Sequence, residues 1–298
     1  MRVVASCVLV AALGCFPIGL VSARPPPGAA AGKLPAQRPT EMAPVICEPK
    51  VDDAPLKVYL PFDGNAVDAT GHCNDGGVAG ATATEDRAGM PDRAFLFDGV
   101  DDFIQLKQGQ KYDFSRFTIA LWVKPLAFPK VPTIGVLPGV PHCASAVLVT
   151  KSSGVRPDYS GNFSLKLVRC GGASYFNIDY QHAKPAAPNT NPPALQMTGA
   201  RDFGATIQLN RWTHLAVTYD GASLRTFVDG KLSSTNAISG PASNAHPIRL
   251  GSKAKMKPPE EERDKPFNGA MDEVRVYDRA LSVAEVAALP GQQAPSVP

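Results

Sequence analysis

Three acidic groupings in this 298-residue chain could do chemistry: Asp63 with Asn65, Asp98 with Asp101 and Asp102, and Asp272 with Glu273. Oxygen-rich sets of this kind suit two tasks. Calcium takes six to eight oxygens from carboxylates, amides and backbone carbonyls. Retaining glycoside hydrolysis needs two carboxyls about 5–5.5 Å apart. Asp272 and Glu273 adjoin in a β-prone run, and successive strand residues point to opposite faces, so they do not read as such a pair. Asp residues also cap turns without any metal. Asp278, close to Arg275 and Arg279, reads as a surface ion pair of little energetic weight.

Nucleophilic chemistry finds less support. Ser145, Ser152 and Ser153 stand near His142, but no Gly-x-Ser-x-Gly elbow surrounds them. His214 falls in a strand pattern next to Trp212 and reads as a packed or hydrogen-bonded histidine, not a base. The cysteines are better explained structurally. Cys7 and Cys15 lie in an apolar leader, which leaves Cys47, Cys73, Cys143 and Cys170. Four cysteines in an exported chain read as two disulfides with three connectivities. Local pairing, Cys47 with Cys73 and Cys143 with Cys170, is favoured because each pair brackets one loop-rich stretch. Scattered histidines and the lack of any Cys-x-x-Cys argue against zinc.

The leader decides the compartment. Arg2 precedes an apolar run from Val3 to Val21 and the small residues Val21-Ser22-Ala23, the pattern of a signal peptide over 1–23 that leaves no membrane span after cleavage. Ala12-Leu13-Gly14-Cys15 leaves lipid attachment at Cys15 as a minor alternative. The chain is thus expected to be secreted, periplasmic or at the cell surface. Eight prolines between Arg24 and Pro55 predict an extended, disordered linker over 24–55, and 290–298 reads as a disordered tail. A formal charge of +3 offers no basic field for nucleic acid. Pro (29) and Gly (26) are both abundant, which suits a turn-dense β protein rather than a helical bundle.

What must position the acids is therefore a set of strands within 56–289. Phe117–Val123, Phe163–Arg169, Tyr175–Tyr180 and Trp212–Tyr219 alternate with period two. Asp220-Gly221 and Asp229-Gly230 are hairpin signals, because a type I′ turn needs positive φ at both central residues. Ser282 with Glu285 forms a capping box for one short helix that ends at Pro290, with Val283, Val286 and Leu289 expected to pack. Segments 129–142, 183–200 and 253–266 read as loops. Roughly a dozen short strands and one helix predict an all-β, two-sheet antiparallel sandwich.

Five ordered blocks resemble a known family. They are Leu60–Gly71, Ala94–Ile104, Phe117–Pro125, Arg211–Gly221 with Phe227–Gly230, and Phe267–Ser282. Together they are similar to the laminin-G-like, concanavalin-A-like jelly-roll domains of the lectin/glucanase superfamily. The chain departs from that pattern in enlarged loops over 128–202. The resemblance implies a structural calcium between the Asp98-Gly99 turn and Asp272, with Asp63 as a further ligand. It also implies a glucanase test, since related glucanases carry Glu-x-Asp-x-x-Glu on one strand. That pattern is absent, so no catalytic residue is assigned and the chain is expected not to be an enzyme.

The function expected is non-catalytic recognition of carbohydrate, a polysaccharide or glycan, outside the cell. A structural or adhesive module bound to an extracellular protein is the alternative, and a glycoside hydrolase with an unusual site the third reading. Sugar grooves use aromatic platforms. Trp122 and Trp212 read as core, so Tyr159, Tyr175, Phe176 and Tyr180, in or beside the enlarged region, are the ligand-binding candidates.

Overall fold

The computed structural model describes residues 54–106, 112–131, 143–151, 163–170, 172–183, 195–238, 246–253 and 264–292; side chains in 180–183 and 195–205 fall outside that description. All of these residues belong to one compact unit, Ile46–Pro298. The expected signal peptide, most of the linker, most of the C-terminal tail, Cys47 and Tyr159 lie outside the described residues.

The strands, in chain order, are β1 (Leu56–Leu60), β2 (Gly76–Ala79), β3 (Thr82–Thr84), β4 (Ala94–Asp98), β5 (Phe103–Leu106), β6 (Phe117–Pro125), β7 (Cys143–Lys151) and β8 (Phe163–Cys170). They continue as β9 (Ala173–Ala183), β10 (Leu195–Thr206), β11 (Thr213–Tyr219), β12 (Ser223–Val228), β13 (Lys231–Ala237), β14 (Arg249–Leu250), β15 (Asp264–Pro266) and β16 (Asn268–Tyr277), and helix α1 (Val283–Ala288) follows. Two eight-stranded sheets result. One runs β13-β12-β11-β6-β16-β4-β3 with β1 also on β16; the other runs β10-β9-β8-β7-β14-β5-β2 with β15 on β7. Pairing is antiparallel except between β15 and β7. First and last strands thus interleave: β16 is flanked by β6 on one side and by β4 and β1 on the other.

Alternation places the core. Ile119, Leu121 and Val123 of β6, Leu215 and Val217 of β11, and Val274 and Val276 of β16 meet Leu165, Leu167, Phe176 and Ile178 of the second sheet in one apolar cluster. The opposite face of the first sheet is covered at one end. There Ala120, Ala216, Phe227 and Tyr277 pack under Leu281, Val286 and Leu289. Burying Val286 and Leu289 contributes about 2 kcal/mol each, more than so short a helix could supply by itself. The capping box forms: Ser282 Oγ accepts from the Glu285 N–H, and the Glu285 carboxylate accepts from the Ser282 N–H. Val283 does not pack as expected. It is 48% exposed, because the helical face that reaches the sheet carries Val286.

Two expectations about connections need correction. Within the expected loop 183–200 the two ends are strand, since β9 continues to Ala183 and β10 begins at Leu195, while 184–194 lie outside the described residues. As the outermost strand of its sheet, β10 pairs only along β9 and can carry Gly, Arg and Asp without an apolar pattern. Segment 253–266 likewise contains β15. Only one Asp-Gly pair makes the expected turn: Asp229 and Gly230 have φ of 49° and 73° between β12 and β13. At Asp220-Gly221 only the glycine is left-handed. Asp220 Oδ1 accepts instead from the Ala222 and Ser223 N–H groups, an Asx turn.

Candidate functional site

The acids come first because the strand that carries them is irregular. Asp272 pairs with Trp122 and Arg275 with Ala120, so Glu273 and Val274 together face Leu121 alone. That two-against-one count is a β-bulge. Glu273 occupies the left-handed region, φ 56°, an uncommon and strained setting for a residue other than glycine. Val274 takes the inward position. Glu273 is thereby turned to the same side as Asp272, contrary to the expectation that adjacent residues oppose. A single Arg87 nitrogen, NH1, lies 3.0 Å from Asp272 Oδ2 and 3.8 Å from Glu273 Oε1.

A polar row crosses the sheet at this level. His214 of β11 pairs with Trp122 of β6, which pairs with Asp272 of β16. The His214 and Trp122 rings meet edge-on at 5.4 Å, and the Arg87 guanidinium lies 5.2 Å from the Trp122 centroid. Trp122 is thus not a core residue but the platform for His214 of the neighbouring strand and for Arg87 of the β3–β4 turn. Glu273 Oε2 accepts from Tyr59 Oη at 2.8 Å and from Arg275 NH2 at 2.6 Å, while Arg275 lies over the Tyr59 ring at 4.6 Å. Asp272 and Glu273 expose 2% and 8% of their side chains. Burial, and then the charge of Glu273, pushes the Asp272 carboxyl up to about 7 against the pull of Arg87. Burial, with Arg275 and Arg87, pushes His214 down to about 3. His214 is packed as expected. Its ring makes no hydrogen bond, however: both ring nitrogens and the Trp122 indole N–H lack a partner among the described residues. Arg275 and Arg279 do not pair with Asp278, which meets Lys57 at 3.3 Å; Arg279 instead binds Glu285.

The second sheet holds a fully partnered counterpart. Lys166 Nζ meets Asp179 Oδ2 at 2.5 Å and both Asp264 oxygens at 2.9 Å. Asp264 also binds Lys253 and Ser145. Two cations around it hold the Asp264 carboxyl well below the usual range despite burial. This knot ties β15 to β7, β8 and β9.

The residues expected around calcium are not gathered at one place. Asp98 lies opposite Asn268, whose Nδ2 donates to the Asp98 carbonyl at 2.7 Å. Asp272 is four residues further along β16, about 13 Å away at strand rise, and it is taken by Arg87. Asp63 pairs with Arg93 at 3.5 Å. Asp98 does cluster with Asp101 and Asp102. Its Oδ1 accepts from the Val100 N–H at 2.7 Å, and Asp102 Oδ2 accepts from the Asp98 N–H at 2.8 Å. Gly99 serves the backbone here: φ is 80° and a Cβ would lie 2.8 Å from that of Asn268. Burial, opposed by the Asp98 N–H bond and reinforced by the charges of Asp98 and Asp101, raises the Asp102 carboxyl above its ordinary value.

Of the aromatic candidates, Phe176 is corrected outright. It is 0% exposed, since alternation along β9 sends Phe176 and Ile178 into the core. Tyr175 is half-buried and lies opposite Val168, off that core face. Tyr180 pairs through its backbone with Phe163 and Thr198, and its side chain lies outside the description. A cavity that no candidate marked opens where β6 and β8 run out. Phe128, Pro129, Lys130, Val131, Arg169 and Gly172 line about 520 Å³. Arg169 has the parity of the core residues Leu165 and Leu167, and its guanidinium sits 5.6 Å from the Phe128 centroid. Its floor is rigid: Arg169 pairs with Ala144 and Ser174, and the next residue, Cys170, is disulfide-bonded to Cys143 directly across β7. That bridge is one of the two expected. Cys73 is disulfide-bonded too.

Residues 98–287 match the family described as the concanavalin A-like lectin/glucanases superfamily. The chain belongs to this superfamily. Among solved structures its jelly roll resembles domain 4 of AbnA, a GH43 extracellular arabinanase from Geobacillus stearothermophilus, solved in complex with arabinotriose. There the TM-score is 0.54 at 20% identity, over 80% of this chain and 99% of that one. The binding domain of Paraclostridial Mosquitocidal Protein 1 gives 0.52 at 16% identity, over 78% of this chain and 51% of the other. The Botulinum neurotoxin type G receptor binding domain gives 0.51 at 13%, over 79% and 51%. At these identities the likeness concerns the fold. No curated protein matches the chain. Among the described residues of this superfamily member, no helix is long and apolar enough to cross a membrane.

Proposed function

We propose that this chain is an exported, non-catalytic module that recognises carbohydrate in the cavity at the ends of β6 and β8. One observation carries the reading: the paired acids and the accessible cavity occupy different places. Asp272 and Glu273 are shut in and neutralised by arginines, whereas the cavity lined by Phe128 and Arg169 has no carboxylate among its described lining residues. An aromatic ring beside a few polar groups in a concavity is the usual form of a sugar subsite. Membership of a lectin/glucanase superfamily and likeness to a domain solved with arabinotriose support the same ligand class. The leader over 1–23 and the disulfide between Cys143 and Cys170 support an oxidising, extracytoplasmic location; the Pro-rich 24–55 segment would serve as stalk, on a lipid at Cys15 if that cysteine is the cleavage site.

The bulge gives a second reading, glycoside hydrolysis, its one specific argument, because it brings two carboxyls to one side and burial raises the proton affinity of Asp272. Their burial weighs against it. Calcium, in this reading, is structural and is held by Asp98, Asp101 and Asp102. Their all-oxygen set suits a hard cation, whose charge would relieve the repulsion on Asp102.

The test is a panel of plant, algal and bacterial polysaccharides offered to the purified protein, with reducing-sugar release followed in parallel. Binding is expected, and Phe128→Ala should weaken it about tenfold, the worth of one ring contact. Binding to none of the panel overturns the sugar reading and leaves the adhesive one. Released sugar overturns the non-catalytic one.

A further inference from the structure

We infer that the cavity selects the carboxylate-bearing units of an acidic polysaccharide over neutral sugars. The inference rests on the carbohydrate reading above and adds the chemical class of the ligand.

Among the described residues lining the cavity, the two ionisable groups, Lys130 and Arg169, are both cations. Neither forms an ion pair with a described carboxylate, whereas Lys166, Lys253, Arg87 and Arg275 all do. The chain carries only +3 overall, so a pair of unmatched cations in one concavity is a local feature and not the spill-over of a basic surface. Arg169 is also held in place. Its backbone is bonded within the ladder on both sides, the disulfide adjoins it, and its guanidinium is seated against the Phe128 ring. A planar guanidinium fixed in this way presents a fork that matches a carboxylate with two parallel bonds. Lys130, on the exposed rim, adds a mobile point charge. A uronate offers both complements: an apolar ring face for Phe128 and Val131, and a carboxylate for Arg169. A neutral sugar leaves both cations unanswered, and the cost of desolvating them falls on its affinity.

The experiment titrates the full chain with polygalacturonate oligomers, with the same oligomers after carboxyl reduction, and with a galactan whose only charge is sulfate ester. Each titration is run at low and moderate salt. The uronate is expected to bind at least tenfold more tightly than its reduced form, and the advantage should shrink as salt rises. Arg169→Gln should remove most of that advantage and Lys130→Gln a few-fold of it. Thermal melts check that both variants are folded; if Arg169→Gln is not, Lys130→Gln and the reduced oligomer carry the test. Equal binding of native and reduced oligomers overturns the inference while the carbohydrate reading stands. So does preference for the sulfated polymer, or undiminished uronate preference in the variants. Failure to bind any of the three overturns the inference, and the polysaccharide panel then decides the carbohydrate reading.

Discussion

The bulge on β16 and the cavity at the ends of β6 and β8 are built from similar parts, arginine, an aromatic ring and an enclosing sheet, yet they are opposites. In the first, Arg87 and Arg275 each face a buried carboxylate and Trp122 is wedged between His214 and Arg87. In the second, Arg169 lies on Phe128 with no acid beside it among the described residues. The first has charge balance without access; the second has access without balance. A buried, compensated cluster stores stability and conformational definition. An open, uncompensated one has binding energy left to give. If this contrast is right, substitutions at the bulge should move stability and leave binding alone, and substitutions at the cavity should do the reverse.

The largest effect is expected from pH. Asp272 keeps its proton to about 7 in the fold and to 3.8 without it, so its contribution falls away as pH rises through that window. His214 is held neutral down to about 3 from 6.5, so its contribution is lost as pH falls from 6.5 towards 3. Each swing is worth about 4–5 kcal/mol. In the natural chain the two oppose over pH 4–6.5. Asp272→Asn should expose the His214 limb, with Tm dropping below pH 6. His214→Gln should expose the Asp272 limb, with Tm dropping as pH rises from 4 to 7, by about 10 °C in all. Flat profiles in both variants would mean that solvent reaches the cluster, and the contrast would fail.

Arg87→Ala comes next. It strips the cation shared by Asp272 and Glu273, and leaving buried charge unpaired costs about 3 kcal/mol, seen as a lower midpoint in denaturant. The same variant sharpens the functional question, because it also removes the side chain lying over Trp122. The expectation is no release of reducing sugar. Hydrolysis appearing in Arg87→Ala would show that the acids were only masked. The Asp98–Asp102 turn gives a smaller effect still. It is acidic like the bulge but has no arginine against Asp102. Saturating calcium should raise Tm by about 5 °C over chelated protein, equivalent to roughly 2 kcal/mol of linkage. Asp101→Asn should shrink that rise, and no shift with calcium would remove the ion from the reading.

How far the sequence could reveal this contrast depends on which features leave a periodic trace. The sandwich was legible because Phe117–Val123 and Thr213–Tyr219 alternate and because Asp229-Gly230 can hardly be anything but a tight turn. The same alternation, applied consistently, would have kept Phe176 in the core, since it shares a face with Ile178. The bulge was not legible. One extra residue has no compositional signature, and here the left-handed position is taken by Glu273 rather than by glycine. Strand parity therefore gave the wrong face for one acid. Strand β10 was hidden by Gly199, Arg201 and Asp202, residues an outermost strand tolerates because it has one neighbour to satisfy. The cavity was hidden for a different reason. Phe128 and Arg169 are distant in sequence, and only the pairing of β7 with β8 and the course of β6 bring them together. The one hint was Arg169 adjoining a cysteine at the end of an alternating run.

The smallest predicted effect discriminates most sharply. Lys130 is exposed and has no described carboxylate partner, so Lys130→Gln should change stability by less than about 0.5 kcal/mol, within the scatter of surface substitutions. A nearly silent change in Tm is informative only beside binding. The lost charge lies on the rim of the concavity, beside Arg169 in the site itself. Polysaccharide affinity should therefore fall by a few-fold even though the fold is untouched. The bulge variants should show the converse at a permissive pH, with shifted melts and unchanged affinity. A Lys130→Gln protein with lower stability and unchanged binding would mean that the lysine is spoken for within the fold. The cavity would then be another internally balanced cluster, and the division between a region that stabilises and a region that binds would have to be abandoned.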